Sequence, residues 1–191
     1  MIINLRGTNG SGKTTVVRGL MKRADAVYPI GKTLKPDGYV IQLPELEDFV
    51  LAVGSYENTC GGCDQVGTAE EVCSRIRKYA QQGHVVFEGY LATRTYGRYR
   101  DLDREHTKLG IPFIWAFLDT PVEICVTRVQ GRRLERGNTK PLNTFNLRDT
   151  WDINKDIYNK MKDMHLDVRW LDHRDPVSIM VSWIQDFEHR I

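Results

Sequence analysis

The chain has 191 residues, 41% hydrophobic and 27% charged, a size and balance that suit one α/β domain over residues 1–191. No apolar run reaches membrane-spanning length, no basic segment followed by an apolar stretch marks a signal peptide, and four cysteines are too few for a disulfide scaffold, so an intracellular protein is expected. The net charge of +2 neither requires nor excludes a nucleic-acid partner.

The first expected element is a short strand over 2–6, carried by Ile2, Ile3 and Leu5. Gly7-Thr8-Asn9-Gly10-Ser11-Gly12-Lys13-Thr14 follows, matching the phosphate-binding pattern G-x-x-x-x-G-K-[ST], the Walker A motif. A helix is expected next, over 13–24, with Val16, Val17, Leu20 and Met21 at helical spacing. A strand before and a helix after form the context the motif requires. Glycines let backbone N–H groups turn inward around phosphate oxygens, and the helix N-terminus adds partial positive charge. Lys13 is placed to reach the β- and γ-phosphates, Thr14 offers a hydroxyl to Mg²⁺, and Thr15 completes the set. The stretch points to a nucleoside triphosphate site, with ATP the expected occupant.

Residues 25–65 carry Pro29, Pro36, Pro44 and several glycines. They read as a β-hairpin or an irregular insertion, with strands at 39–43 and 49–54. In "YENTCGGCDQVGT", one C-x-x-C pair (Cys60, Cys63) lacks a second pair at zinc-ribbon spacing. The plainer reading is a tight turn that sets small residues near a substrate, so no metal is expected there. Glu57 and Asp64 are then candidate substrate ligands or bases.

A helix over 68–82 leads into a buried strand over 84–88. Glu88 falls at the carboxyl end of that strand, where ligands bind in parallel sheets. A carboxylate there can hold Mg²⁺ or take a proton from an attacking hydroxyl. From Arg94 to Lys108 the chain holds five Arg or Lys residues against three acids, with tyrosines interleaved. Arg94, Tyr96 and Arg98 suit a nucleotide or a strand of DNA; an ordinary mixed-charge helix is the alternative.

A strand over 112–118 precedes a helix over 121–134, with Thr120 as expected N-cap and Pro121 as first helical residue. Its end, "RVQGRRLERG", offers Arg128, Arg132 and Arg133, with Arg136 a weaker member, as a lid of guanidiniums over a transferring phosphoryl group. Helices over 145–163 and 176–189 flank a last strand over 166–171, and Asp175-Pro176 repeats the N-cap signal. The alternation of strands and helices predicts a parallel sheet between two helical layers.

Taken together, "INLRGTNGSGKTTVVR", "YENTCGGCD", "GHVVFEGYLATRTYGR" and "FLDTPVEICVTRVQGRR" resemble the deoxynucleotide monophosphate kinase class of P-loop kinases. Within it they resemble more closely the bacteriophage kinases that phosphorylate 5-hydroxymethyluracil already in DNA, on the way to hypermodified thymidines. The resemblance implies a three-layer P-loop NTPase fold, ATP, Mg²⁺ and transfer of the γ-phosphate to a base hydroxymethyl group in the host cytoplasm. It also implies that the loop from His173 to Pro176 lies against the adenine. A kinase of free nucleotides would share the ATP site and lack the DNA contacts. A nucleotide-dependent switch is a further alternative, disfavoured by the short chain and the dense arginines.

Overall fold

The computed structural model describes residues 1–32, 34–58, 61–89 and 96–190. Seven strands form one sheet: β1 (Ile2–Arg6), β2 (Ala26–Lys32), β3 (Lys35–Gln42), β4 (Val50–Val53), β5 (His84–Glu88), β6 (Phe113–Leu118) and β7 (Val168–Leu171). Their spatial order is β2-β3-β4-β5-β1-β6-β7. The five strands from β4 to β7 in that order run parallel, and β2 and β3 are antiparallel additions at one edge. The described helices are α1 (Lys13–Arg23), α2 (Ala69–Tyr79), α3 (Tyr96–Lys108), α4 (Val122–Glu135), α5 (Phe145–Asp163) and α6 (Pro176–Glu188).

Two cores sandwich the sheet. On one face, Ile3 and Leu5 of β1 pack against Val16, Val17 and Leu20 of α1 and Met180, Val181 and Ile184 of α6. On the other, Ile2, Phe87, Trp115 and Phe117 pack against Val72 and Ile76 of α2, Tyr99 and Leu102 of α3, and Ile157 and Met161 of α5. Every residue of β1, β5 and β6 is buried, the polar Asn4, Arg6, His84 and Glu88 included, so none of these strands alternates between a buried and an exposed face. Helices on both faces of a mostly parallel sheet give the three-layer α/β architecture expected from the alternation. Among the described residues no helix is long and apolar enough to cross a membrane.

One element, β2, lies outside the expected strands, and another settles an alternative that the sequence left open. Ala26–Lys32 is a full strand pairing antiparallel with β3, so the irregular segment resolves as the hairpin. Pro29 is tolerated there because β2 is an edge strand, where a missing N–H costs no ladder bond. Tyr96–Lys108 is a helix, the mixed-charge alternative considered for that run. The start of α4 is shifted by one residue: Pro121 occupies the N-cap, and the Thr120 hydroxyl donates to the Ser11 carbonyl (2.8 Å). Thr120 thus ties this turn to the glycine loop. At α6 the expected cap holds, with Asp175 accepting from the Ser178 N–H.

Candidate active site

The carboxyl ends of β1 and β5 and the N-terminus of α1 converge on a cleft of about 920 Å³. The loop from Gly7 to Gly12 turns through left-handed backbone at Gly7 (φ +148°), Gly10 (φ +83°) and Gly12 (φ +106°). At Gly10 a side chain is excluded twice over: a Cβ would also sit 2.5 Å from the Cys125 carbonyl oxygen. Asn9, Gly10, Ser11, Gly12, Lys13, Thr14 and Thr15 all line the cleft; Gly7 and Thr8 form the approach from β1. The Ser11 hydroxyl is buried and, among the described residues, has no hydrogen-bond partner, which leaves a polar group free inside the nest.

Lys13 is buried, and its ammonium donates to the Gly7 carbonyl (2.7 Å) and the Thr8 carbonyl (3.2 Å). Burial pushes its pKa down; the negative charges of Glu88 and Asp64 oppose that. The Thr14 hydroxyl donates to Glu88 Oε1 at 2.9 Å. Glu88 is 2% exposed. Burial raises its carboxyl to about 7, against the opposing pull of Lys13 and the Thr14 hydrogen bond. A carboxyl poised near neutrality is suited to receive a proton at working pH.

The "CGGCD" segment explains how a second acid arrives. Gly62 N–H donates to the Ser55 carbonyl (2.8 Å), which folds the chain back after β4. Gly62 has φ +67°, and a Cβ on it would stand 2.6 Å from both the carbonyl oxygen and Oε1 of Glu88. Only glycine lets this turn press against the carboxylate. Cys63, Asp64 and Gln65 then form a short 3₁₀ turn. Asp64 lines the cleft, with its Oδ1 3.0 Å from where a Gly89 Cβ would be, and its charge contributes to raising Glu88. Cys63 is a buried free thiol, its pKa pushed well up by burial, so it presents no thiolate. Cys60 lies outside the described residues.

Opposite these acids, Arg128, Arg132, Arg133 and Arg136 all line the cleft from α4 and its end. Arg128 Nη1 donates to the carbonyls of Gly10 and Ser11, both at 3.3 Å. Arg133 is partly engaged elsewhere, donating to Asn138 Oδ1 (3.3 Å) and the Lys140 carbonyl (3.1 Å). The loop from His173 to Pro176 forms the remaining wall. His173 is held there by Asp119, which accepts from its backbone N–H (2.8 Å) and lies 2.9 Å from its Nδ1.

Not every expected residue joins this group. Glu57 accepts from the Tyr39 hydroxyl (2.6 Å) and is not among the residues lining the cleft. Tyr96, the first residue of α3, packs partly buried against the core on that face of the sheet. Arg98 faces Glu70 of α2 at 3.6 Å. Arg94 lies outside the described residues. Conversely, Arg18 was not singled out from the sequence. It lines the cleft from α1 and donates to the carbonyls of Tyr56 (2.6 Å) and Asn58 (2.7 Å), fixing the segment that leads to Asp64. Its only signal was its place in α1, about a turn and a half beyond Lys13.

A strand, a glycine loop closing on a helix, one buried lysine, paired acids and an arginine-lined wall define a P-loop kinase. No protein-family model matches the chain. It is 34% identical over 148 residues to the 5-hmdU DNA kinase of Pseudomonas phage M6, covering 73% of this chain and 74% of that protein. It is 33% identical over 150 residues to the 5-hmdU DNA kinase of Pseudomonas phage PaMx11, with 73% of each covered. The chain belongs to the 5-hmdU DNA kinase family and is a phosphotransferase. A 5-hmdU DNA kinase of Delftia phage PhiW-14 is 31% identical over 164 residues, covering 76% of this chain and 58% of that one. Among solved structures, a deoxyadenosine kinase from M. mycoides with bound dATP covers 99% of this chain at 15% identity, with a TM-score of 0.44.

Proposed function

We propose that this enzyme moves the γ-phosphate of ATP onto the hydroxymethyl oxygen of 5-hydroxymethyluracil in DNA, in the cytoplasm of a phage-infected cell. One observation carries the kinase chemistry: the buried Glu88 carboxyl, raised to about 7, 2.9 Å from the Thr14 hydroxyl at the head of α1. The names of the curated relatives carry the choice of substrate.

In this reading the glycine loop and Lys13 hold the triphosphate, with the Ser11 hydroxyl turned to a phosphate oxygen. The oxygen donors Thr14, Glu88 and Asp64 fit Mg²⁺, a hard cation that prefers such ligands. Bound there, it would neutralise charge on the phosphates. Ionised Glu88 takes the proton as the substrate hydroxyl oxygen bonds to the γ-phosphorus and the bond to the departing ADP breaks; Asp64 is the alternative base. Arg128 and Arg132 stabilise charge on the transferring group, and α4 excludes water that would otherwise hydrolyse ATP. The loop from His173 to Pro176 lies against the adenine.

The test offers ATP labelled at the γ-phosphate with a hydroxymethyluracil oligonucleotide, with the matching monophosphate, or with water alone. Transfer to the oligonucleotide well above the other two is expected. Efficient transfer to the monophosphate with none to the oligonucleotide would replace DNA by a free nucleotide as the substrate.

A further inference from the structure

Resting on DNA as the substrate, we propose that the tip of the β2–β3 hairpin is a DNA-contacting arm, with Lys32 and Lys35 on backbone phosphates and Leu34 against the bases. The register places it at the reaction end of the sheet. Gly54 N–H donates to the Asp37 carbonyl (2.9 Å), so Asp37 stands level with Gly54. β4 pairs with β5 in steps Val50 with His84, Leu51 with Val85 and Ala52 with Val86. Continued two residues, that register sets Gly54 level with Glu88. Lys35 lies two residues beyond Asp37, roughly 7 Å past this level, and β3 is two strands from β5, roughly 10 Å to the side. The tip therefore stands about 12 Å from Glu88, a span of three or four base steps at 3.4 Å rise.

The tip is built against its own stability. Lys32 and Lys35 are the terminal pair of the hairpin, directly opposite one another, and both are exposed. Like charges so placed repel unless an anion lies between or beside them. Leu34, between them in the chain, is 95% exposed. A lone exposed leucine is unremarkable; one between two lysines at the mouth of a phosphoryl-transfer cleft has the makeup of an apolar wedge flanked by phosphate contacts. The arm is also braced. Arg75 of α2 donates to the Asp37 carbonyl (2.8 Å) and pairs with its carboxylate (2.8 Å). The Tyr39 hydroxyl donates to Glu57 (2.6 Å), coupling β3 to the segment that carries Asp64. Gly31 forms a bulge at φ +82° that turns β2 into the tip, where a Cβ would meet Asp37 Oδ2 at 2.5 Å.

The experiment compares the wild-type chain, the double variant Lys32→Ala with Lys35→Ala, and Leu34→Gly. Binding of a hydroxymethyluracil duplex is measured across a salt series. Loss of two phosphate contacts should lower the slope of log affinity against log salt by about 1.8. KM for ATP should not move, and the melting temperature of the double variant should not fall, since the repelling pair is gone. With 2-aminopurine three or four bases from the target base, the wild type should brighten the probe by unstacking it, and Leu34→Gly should lose that brightening. An unchanged slope in the double variant would show that the lysines only blunt the sheet edge and would overturn the arm. Equal brightening by Leu34→Gly would overturn the wedge. Failure of the wild type to use any oligonucleotide would overturn the substrate reading itself, a result visible without the variants.

Discussion

Single residues decide this site through where their atoms are allowed to be. Lys13 lies buried beneath the glycine loop, and it holds two loop carbonyls as well as facing the acids. Lys13→Ala is expected to abolish nearly all transfer while the protein still folds, because alanine suits the first turn of α1. Normal turnover with normal ATP affinity would dismiss the loop as the triphosphate site. Gly62 offers a sharper case. Alanine there must take φ +67° and meet Glu88 at 2.6 Å. The strain is about 1–3 kcal/mol of stability. The larger loss should be in transfer, since the added methyl pushes Glu88 off the Thr14 hydroxyl. A Gly62→Ala variant with lowered melting temperature and full activity would separate this turn from the chemistry.

At the scale of elements, the lid helix divides its arginines by what they already hold. Arg128 touches the loop carbonyls that frame the phosphates, whereas Arg133 also closes the end of its own helix. Arg128→Ala should therefore lower kcat by about 100-fold, and Arg133→Ala by less; equal losses in a steady-state assay would contradict that division. The glycine loop, its strand and its helix were legible because the chemistry fixes residue types at fixed offsets. Glu88 was legible because it ends an apolar run. Helix α3 was legible only as one of two alternatives, for a physical reason. Its buried face is Tyr99, Leu102, Asp103 and His106, and half of those are polar. Asp103 accepts from Trp115 Nε1 (2.6 Å) and Thr107 (3.0 Å), and His106 Nδ1 meets the Leu102 carbonyl (2.8 Å). Trp115 of β6 and two partners within the helix itself, Thr107 and the Leu102 carbonyl, make those polar residues acceptable inside, and no apolar periodicity of this segment could announce them. Glu57 failed for the same kind of reason: a candidate ligand by type, it is taken up by Tyr39 from a neighbouring strand. Strand β2 went unread because Pro29 and the Gly31 bulge argue against a strand anywhere but at an edge, and edge position is a property of the assembled sheet.

For the whole molecule, the sheet's two cores bury Glu88 at its centre before any phosphate arrives, and this links folding to pH. Its carboxyl titrates at about 7 in the folded chain against 4.5 for an ordinary glutamate. Between these values the folded protein keeps a proton that the unfolded chain has released. Stability from this group is full below about 4.5, falls as pH rises through the window, and levels off above about 7, a change of about 3 kcal/mol. Denaturant unfolding of wild type and Glu88→Gln across pH 4.5 to 8 should show the variant gaining on the wild type by that amount. A difference constant with pH would sink the claim. The same proton governs catalysis. A base must be ionised, so kcat/KM, which reports the free enzyme, should fall on the acid side of about 7. Asp64 is among the groups that raise Glu88. If Glu88 is the base, Asp64→Asn should retain measurable transfer and move that acid limb to lower pH. If Asp64 is the base, the same substitution should abolish transfer, and Glu88→Gln should leave the larger residual rate.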